Sequence, residues 1–325
     1  MPASDTLPLS ETITAKLAAV EAAFDEELHS DLAVVNELTT HVRRYRGKML
    51  RPTLTLLCGE ALGRVTDAHV TIATVVELVH MATLVHDDVL DEADLRRRGV
   101  TVNRLRGNEA AVMLGDFLIS HSYHLCSSLD SQYAARTIAR TTNQVCEGEL
   151  LQLSNRNNLD LDEETYVTII SRKTGSLIAT ACLLGAHFAG ADDATAKRLE
   201  KFGLSLGIAF QIQDDILDLV GTTGEAGKTL GIDIAKCKLT LPIIHFLQTA
   251  PAEHRKLCRE LLSCGEHHAG ERIRHLIAPS ESIAYARGRA QRLIDRAKQS
   301  IADLPDSDTK RLLLQMADFV LDRRY

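Results

Sequence analysis

The feature that most constrains the fold of this chain is the absence of proline between Pro52 and Pro242. Short strands and the turns between them are usually punctuated by proline, whereas the interiors of helices exclude it. Strand-like alternation of apolar and polar residues is also weak throughout the chain. The sequence therefore predicts α-helices that follow one another.

The stretch from Phe202 to Val220 shows the helical period clearly. Ile208, Ile212 and Ile216 recur at four-residue steps, which places them on one face of a helix. Polar residues fall on an arc of roughly 100° on the other side of the same helix. They are Gln211, Asp214, Asp215 and Asp218.

These patterns indicate an all-α protein. No linker rich in Pro, Gly or Ser and no shift in composition divides the 325 residues, so we expect residues 10–325 to form a single domain and residues 1–9 to be flexible. Asp160, with Glu163 three residues later, follows the pattern of a capping box and predicts a helix that begins there.

The charge, the N-terminal segment and the cysteines exclude several classes of protein. A net charge of −7 argues against a nucleic-acid partner, because a surface that follows phosphates carries an excess of basic residues. The N-terminus lacks a basic region followed by an apolar stretch, and no window approaches ~18 uninterrupted apolar residues, so neither a signal peptide nor a transmembrane segment is expected. The seven cysteines form no CxxC pair, which favours buried free thiols in a reducing cytoplasm over a metal site or disulfides.

Two acidic motifs of the same spacing, HDDVLD and QDDILD, lie far apart in the chain. A single acidic motif is ordinarily a solvated helix face, but here an apolar stretch leads into each motif and the second is also followed by one. Carboxylates on largely buried helices need cations, because an unpaired buried charge costs several kcal/mol. The carboxylates concerned are Asp87, Asp88, Asp91, Asp214, Asp215 and Asp218.

Magnesium suits these motifs, because it binds carboxylate oxygens, keeps several waters and commonly completes its shell with substrate phosphates. An EF-hand is excluded, since neither motif has the central Gly and the terminal Glu at the required offsets. Two acidic helix faces that oppose each other across the centre of a bundle would form such a site.

Basic residues accompany the acidic motifs. The segment Gly47–Pro52 has the pattern of a loop that enters a helix, and the N-terminus of a helix favours an anion. Each basic residue alone would be an ordinary surface charge, but each adjoins an acidic motif or the start of an apolar helix, which predicts a substrate that carries phosphate. They are Lys48, Arg51, Arg96, Arg97, Arg98, Lys173, Lys228, Lys236 and Lys238.

These motifs, taken in order, resemble the trans-isoprenyl diphosphate synthases, and among them the long-chain all-trans polyprenyl diphosphate synthases of the octaprenyl type. The series is GKMLRP, HDDVLDEADLRRRG, GDFL, EGELLQL, KTG, QIQDDILD and GKTLGIDIAKCKLTLP, and the C-terminal LDRRY also resembles the family. One such motif would be weak, whereas the whole series in sequence is very specific.

The chain departs from the family pattern at a few positions. Arg46 stands where the family has a Gly before Gly47, and Met49 replaces a usual basic residue. Three arginines occur in place of two, which leaves the role of Arg98 unassigned, and Cys237 replaces a usual Gly.

The resemblance implies an all-α bundle around a central cavity and a Mg²⁺-dependent, head-to-tail 1′-4 condensation of isopentenyl diphosphate onto an allylic diphosphate such as farnesyl diphosphate. The six aspartates and Lys173 are the catalytic residues that it implies, with Asp87, Asp88, Asp91, Asp214 and Asp218 as metal ligands. Isopentenyl diphosphate would bind to Lys48, Arg51, His80 and Arg97. The allylic diphosphate would bind to Arg96, Lys173, Thr174, Gln211, Lys228 and Lys238.

A helical wheel through the first motif places His80 on the same polar arc as Asp87, with Glu77, Thr83 and Asp91, so His80 is expected to face the site. His86 is off that arc and has no assigned role.

Product length is expected to depend on Ala82 and Thr83. In the family, bulky aromatic residues at these positions block the product channel of short-chain enzymes, and here both are small. The wheel places Thr83 beneath Asp87 but turns Ala82 away, so the role of Ala82 rests on the resemblance alone. A product longer than C20, near C40, is therefore expected, together with a homodimer and transient contact with a bilayer during product release.

The sequence also bears on several other functions. A geranylgeranyl diphosphate synthase and the catalytic subunit of a heteromeric synthase are the nearest alternatives. A terpene cyclase stabilises carbocations with aromatic faces, but this chain has no Trp and only 4% aromatic residues. A non-catalytic regulatory subunit typically loses its acidic motifs, and both are present here.

Overall fold

The structure is a computed structural model that describes residues 9–43, 47–96, 99–220, 238–264 and 269–323. These residues are predominantly helical. The sheet found among them consists of two antiparallel strands of two residues each, β1 (Leu95–Arg96) and β2 (Gly99–Val100). Most of the predicted flexible N-terminus lies outside the described residues. The helices are α1 (Glu11–Glu27), α2 (Ala33–Val42), α3 (Leu50–Ala61), α4 (Asp67–Leu90), α5 (Val102–Arg106), α6 (Asn108–Ser127), α7 (Gln132–Ser154), α8 (Glu163–Ile170), α9 (Ser176–Phe188), α10 (Asp193–Val220), α11 (Leu241–Thr249), α12 (Ala252–Cys264), α13 (Ala269–Ile277), α14 (Ser282–Ser300) and α15 (Asp308–Asp322).

The chain forms two compact units that are each built from several segments. The first unit contains Met1–Thr142, Leu177–Gly203 and Ser300–Met316. The second unit contains Asn143–Ser176, Leu204–Gln299 and Ala317–Tyr325. The predicted single domain stays a prediction.

Helix α4 is the core of the first unit, where it packs against α1, α3 and α6. Its first turn is held by His69, whose Nδ1 accepts a hydrogen bond from the Thr66 backbone N–H at 3.0 Å, while Nε2 lies 3.0 Å from the Gly185 carbonyl. Burial lowers the pKa of His69, so the ring stays neutral and Nε2 donates. Gly59 makes room for this ring, because a Cβ there would lie 2.4 Å from Nε2.

In the second unit, α8 begins at Glu163, with Asp162 as its N-cap. The Asp162 side chain accepts a hydrogen bond from the Thr165 backbone N–H at 2.7 Å, which lowers the pKa of the carboxyl. The predicted capping box on Asp160 is therefore wrong, and Asp160 forms an ion pair with Arg259 at 2.7 Å instead.

Two helical stretches, Asp67–Leu90 and the continuous Glu163–Phe188, are long and apolar enough to cross a membrane when only length and composition are considered. In each, 67% of the apolar window is buried inside the protein, which is the pattern of a core helix. No strong membrane span is therefore found within the described ranges.

The described cysteine side chains, Cys58, Cys126, Cys146, Cys182 and Cys258, are free thiols, and all but Cys146 are buried. The prediction of buried thiols therefore holds for four of these positions and is wrong for Cys146, which is exposed. A hydrogen bond that the Cys58 thiol donates to the neighbouring Cys182, together with burial, raises the pKa of Cys58 well above its usual value. The Cys58 thiol is therefore a protonated, unreactive part of the core.

Candidate functional site

The first acidic motif lies at the C-terminal end of α4. Asp87 belongs to the last turn, and Asp91 follows the helix as its C-cap, with its backbone N–H donating to the Asp87 carbonyl at 2.8 Å. Both side chains are partly exposed, whereas Asp88 between them is only 1% exposed. The motif thus presents its first and third carboxylates and buries its second.

The buried carboxylate of Asp88 is paired with Arg96 of β1, at 2.7 Å between Oδ1 and Nε. The loop that carries this arginine is fixed by Asn103, whose Nδ2 donates to the carbonyls of Asp88 and Ala93, both at 3.2 Å. Thr101 adds a hydrogen bond from its hydroxyl to the Ala93 carbonyl at 2.5 Å. Arg96, the first of the three consecutive arginines, is therefore held in place by an aspartate of the motif that precedes it.

The GDFL sequence supports the first motif by making room for His86. A Cβ at Gly115 would lie 2.1 Å from the imidazole Nε2, so the ring packs directly against α6. In this position Nε2 is 3.4 Å from Asp116 and 3.2 Å from the Val112 carbonyl. His86 therefore faces α6, which explains why it does not lie on the polar arc of α4.

The other residues predicted on α4 differ in burial. His80 is partly buried, and its carbonyl accepts a hydrogen bond from the Thr83 hydroxyl at 2.7 Å. Ala82 is fully buried in an apolar cluster with Leu78 and Met81, as expected from a wheel that turns it away from Asp87.

The predicted anion-binding loop before α3 has an unusual backbone. Met49 adopts a left-handed conformation with φ of 50°, and its carbonyl accepts hydrogen bonds from Thr53 at 2.9 Å (backbone N–H) and 2.8 Å (hydroxyl). This geometry fixes the entry into α3. Lys48 is exposed just before the helix, and Arg51 is partly buried in its first turn.

In the second motif the middle carboxylate is again the buried one. Asp215 of α10 is 5% exposed, whereas Asp214 and Asp218 are partly exposed. The Tyr166 hydroxyl donates to Asp215 Oδ2 at 2.6 Å, and Gln211 Nε2 donates to Oδ1 at 2.8 Å. A further hydrogen bond runs from the Thr174 hydroxyl to Gln211 Oε1 at 2.9 Å.

The KTG sequence lies in a π-helical turn, Ser171–Gly175, between α8 and α9. Turns of this kind are rare and often occur at functional sites. Lys173 donates from Nζ to Gln152 Oε1 at 3.0 Å and forms an ion pair with Glu149. A Cβ at Gly148 would lie 2.8 Å from the Lys173 backbone N, so this glycine permits the close approach of α7.

Asp214 forms an ion pair with Arg323, at 2.7 Å between Oδ1 and Nη1. The guanidinium also lies over the Phe210 ring, 4.2 Å from its centroid, and Gln213 donates to the Arg323 carbonyl at 3.4 Å. The C-terminal segment is thereby fastened to the polar face of α10.

Some of the predicted residues cannot be placed. Lys238 is partly buried just before α11, whereas several named residues lie outside the described residues, namely Arg46, Arg97, Arg98, Lys228, Lys236 and Cys237. Within the part of the chain that is described, no group of three or more His, Cys, Asp or Glu side chains is arranged to hold a metal ion. The structure therefore leaves the predicted ligand set as a prediction.

The donor chemistry of the motifs nevertheless fits magnesium. Each motif offers two partly exposed carboxylates four residues apart, namely Asp87 with Asp91 and Asp214 with Asp218. Magnesium commonly takes only one or two protein carboxylates and fills its remaining positions with water and substrate phosphate oxygens. A pair of carboxylates in a motif is thus sufficient, without a dedicated cluster of three.

Sequence reasoning missed four residues that these contacts single out: Tyr166, Glu149, Gln152 and Arg323. The signal for Glu149 and Gln152 was the EGELLQL sequence, and the signal for Arg323 was the LDRRY end, although neither suggested a contact. Tyr166 had no signal, because it lies 49 residues from its partner Asp215.

A cavity of about 520 Å³ lies in the first unit, lined by α2 and α5 residues such as Asn36, His41 and Arg106. It contains none of the predicted site residues and is not part of the candidate site.

Comparison with known proteins gives consistent results. Residues 33–278, more than half of the chain, match the family described as polyprenyl synthetase. The chain is 34% identical to octaprenyl diphosphate synthase of Escherichia coli (strain K12) over 316 residues, which cover 97% of this chain and 98% of the relative.

Solved structures agree with this result. A decaprenyl diphosphate synthase from Rhodobacter capsulatus has a TM-score of 0.91 and 34% identity, covering 97% of this chain and 98% of that one. A polyprenyl synthase from Caulobacter crescentus CB15, complexed with calcium and isoprenyl diphosphate, has the same TM-score of 0.91 and 34% identity, with coverage of 97% and 96%.

The predicted all-α isoprenoid synthase fold is thereby confirmed. This chain belongs to the polyprenyl synthetase family and is accordingly a prenyltransferase.

Proposed function

We propose that this chain is a long-chain trans-polyprenyl diphosphate synthase, which condenses isopentenyl diphosphate repeatedly onto an allylic diphosphate such as farnesyl diphosphate in a Mg²⁺-dependent reaction. The observation that carries this proposal is the shared arrangement of the two motifs: each presents two carboxylates four residues apart and fastens the one between them inside the protein. The Caulobacter relative complexed with calcium and isoprenyl diphosphate supports a divalent ion and a prenyl diphosphate as the ligands.

The chemistry explains the charges in the motifs. Breaking the allylic C1–O bond sends the electron pair onto the departing diphosphate and leaves a carbocation on the prenyl chain. Fixed positive charge aimed at the departing group lowers this barrier. Magnesium held by Asp87, Asp91, Asp214 and Asp218 would supply a Lewis acid for that charge.

The chain's own basic groups act on the same diphosphate. Lys173, held in place by Gln152 and Glu149, and Arg96, held by Asp88, are cations with fixed side-chain positions. A cation that is already oriented needs no reorganisation when the leaving group develops its charge. We assign Asp88 to this orienting role, and Gln211, Lys228 and Lys238 complete the allylic diphosphate site.

The second substrate, isopentenyl diphosphate, is assigned to Lys48, Arg51, His80 and Arg97. Its double bond attacks C1 of the carbocation, a carbon–carbon bond forms, and the proton lost in the last step passes to the departing diphosphate. No nucleophilic side chain is required for these steps.

A product longer than C20, near C40, is proposed from the small residues Ala82 and Thr83. The relatives carry names for different products, including heptaprenyl, octaprenyl, nonaprenyl and short-chain diphosphates. We expect Ala82→Phe and Thr83→Phe to shorten the product, whereas Ala111→Phe, at another fully buried alanine of the same apolar cluster, leaves its length unchanged. Chain-length analysis of radiolabelled product tests this, and an unchanged product from both α4 variants would contradict the channel assignment.

Two alternatives remain within the same chemistry. A geranylgeranyl diphosphate synthase would stop at C20. A catalytic subunit of a heteromeric synthase is favoured by one relative, "heptaprenyl diphosphate synthase component 2" of Geobacillus stearothermophilus, which is 34% identical over 312 residues that cover 95% of this chain and 96% of the relative.

A cytoplasmic homodimer, with transient contact between the apolar product and a bilayer, is the assembly that we propose.

The deciding experiment is an assay of the purified chain alone with farnesyl diphosphate, labelled isopentenyl diphosphate and Mg²⁺, and with EDTA as the control. Linear products beyond C20 that disappear with EDTA support the proposal. A product that ends at C20 indicates a geranylgeranyl diphosphate synthase, turnover only after a second protein is added indicates a heteromeric enzyme, and a cyclic hydrocarbon contradicts the proposal.

A further inference from the structure

Four side chains of the second unit form a continuous hydrogen-bonded network beneath the second acidic motif. Tyr166 of α8 and Gln211 of α10 each bond one oxygen of Asp215, at 2.6 Å and 2.8 Å. Thr174, in the π-helical turn, bonds Gln211 at 2.9 Å. Tyr166 and Asp215 are 3% and 5% exposed, so these contacts are largely shielded from water.

The atoms in contact fix the direction of the hydrogen bonds on Gln211. An amide nitrogen can only donate, so Gln211 Nε2 donates to Asp215, which also accepts a hydrogen bond from the Tyr166 hydroxyl. The amide oxygen of Gln211 therefore faces Thr174, and the Thr174 hydroxyl donates to it. Because both ends of the amide group are bonded in this way, its plane is fixed. The second amide hydrogen of Gln211 therefore points in a fixed direction.

We propose that Tyr166 and Asp215 are positioning residues that orient Gln211, so that its second amide N–H donates to the allylic diphosphate. Asp215 serves this role instead of binding metal, and Thr174 acts on Gln211 instead of on the diphosphate. The inference rests on the proposed function, because it names a residue that prepares the site for that substrate.

Pre-orientation is the physical benefit of such a network. A glutamine side chain has several rotatable bonds, and ordering it when substrate binds would cost part of the binding free energy. Here the Gln211 side chain is already ordered in the folded protein, because its amide nitrogen bonds Asp215 and its amide oxygen bonds Thr174. Donors that are fixed before the reaction are also those that stabilise developing negative charge most effectively.

A second tyrosine in the same unit provides a matched control. The Tyr285 hydroxyl donates to Glu163 at 2.6 Å, the same length as the bond from Tyr166 to Asp215. Glu163 also pairs with Arg289 at 2.7 Å, and none of these residues belongs to the candidate site. Tyr285→Phe thus removes the same kind of hydrogen bond without disturbing Gln211.

The test uses the full-length protein with Tyr166→Phe, Tyr285→Phe, Gln211→Ala and the double variant Tyr166→Phe/Gln211→Ala. The probe is the thio analogue of farnesyl diphosphate, in which sulfur replaces the bridging oxygen and prevents ionisation. Its binding is measured by calorimetry at saturating Mg²⁺, and thermal unfolding and the KM for each substrate are measured alongside.

We expect Tyr166→Phe to weaken binding of the analogue about tenfold. This is the loss expected when Gln211 no longer donates its hydrogen bond to the charged diphosphate. The KM for farnesyl diphosphate rises with it, whereas the KM for isopentenyl diphosphate does not change. Tyr285→Phe lowers the melting temperature comparably but leaves binding intact. In the Gln211→Ala background, Tyr166→Phe has no further effect on binding, because the residue that it orients is gone.

The inference is overturned if Tyr166→Phe binds the analogue as tightly as the parent, or if it weakens binding by the same factor with and without Gln211. Either result would make Tyr166 a merely structural residue. Failure of the proposed function has a different signature, since the parent protein would then produce no elongated prenyl chain. If the parent protein elongates the prenyl chain, but the effects of the two substitutions on binding simply add in the double variant, then Tyr166 has no positioning role and the proposed function still holds.

Discussion

The two acidic motifs have the same sequence spacing but stabilise their middle carboxylate in different ways. In the first motif, Asp88 is buried against a cation, Arg96. In the second motif, the buried Asp215 accepts hydrogen bonds from Tyr166 and Gln211. An ion pair thus holds the first carboxylate, and hydrogen bonds from a tyrosine and a glutamine contribute to holding the second.

The difference teaches how to interpret a DDxxD pattern. The first and third aspartates of each motif are partly exposed and lie four residues apart, whereas the second is turned into the protein. In this interpretation the pattern combines a pair of proposed metal ligands with one internal anchor. What the anchor holds differs, since Asp88 fixes an arginine and Asp215 fixes an amide.

The largest effect is expected when an exposed carboxylate is neutralised in either motif. Asp87→Asn and Asp214→Asn should each reduce the rate of elongation by about a thousandfold, because the departing diphosphate loses several kcal/mol of stabilisation. Asp130→Asn, at an exposed carboxylate in the turn after α6, is the control and should retain the parent rate. Steady-state assays with labelled isopentenyl diphosphate measure this, and near-parent rates for either motif variant would contradict the account.

A second prediction separates the two anchors by stability. Asp88→Asn should lower the free energy of unfolding by about 2–3 kcal/mol, because it leaves Arg96 without the carboxylate of a largely buried ion pair. Asp215→Asn should cost about 1 kcal/mol, because the asparagine oxygen can still accept one of the hydrogen bonds from Tyr166 and Gln211.

Urea denaturation of both variants, followed by circular dichroism, measures this difference. Equal losses, or a larger loss for Asp215→Asn, would mean that the ion pair with Arg96 does not make Asp88 the stronger anchor.

The smallest effect concerns the ion pair between Asp214 and Arg323. Because both side chains are partly exposed, the pair contributes at most about 1 kcal/mol. Arg323→Gln removes a cation that competes with metal for this carboxylate, so the Mg²⁺ concentration for half-maximal elongation should fall about two- to fivefold.

The matched control is Arg311→Gln, which removes an exposed ion pair with Asp308 outside the motifs. Metal titrations of both variants test the prediction, and a higher Mg²⁺ requirement for Arg323→Gln would show that the arginine assists metal binding instead of competing with it.

The helical fold was readable from the sequence because it depends on local pattern. The isoleucines of α10 are buried as their four-residue spacing predicts. The wheel did not reveal which acid is buried, since it placed Asp214, Asp215 and Asp218 on one arc, and the burial of Asp215 depends on Tyr166 from another helix.

Other features also required the three-dimensional structure. The sequence pattern predicted Asp160 as the cap of α8, whereas in the structure Asp162 caps the helix and Asp160 pairs with Arg259, 99 residues away. The role of EGELLQL was likewise hidden, because its Glu149 and Gln152 act on Lys173, which lies in another segment of the chain.

The most direct test of the central claim is a crystal structure with Mn²⁺ and the thio analogue of farnesyl diphosphate, with the metal located by anomalous scattering. We expect manganese at the Asp87 and Asp91 carboxylates and at the Asp214 and Asp218 carboxylates, with diphosphate oxygens completing the coordination at each pair. Manganese ligated by Asp88 or Asp215, or absent from both motifs while the analogue is bound, would contradict this expectation.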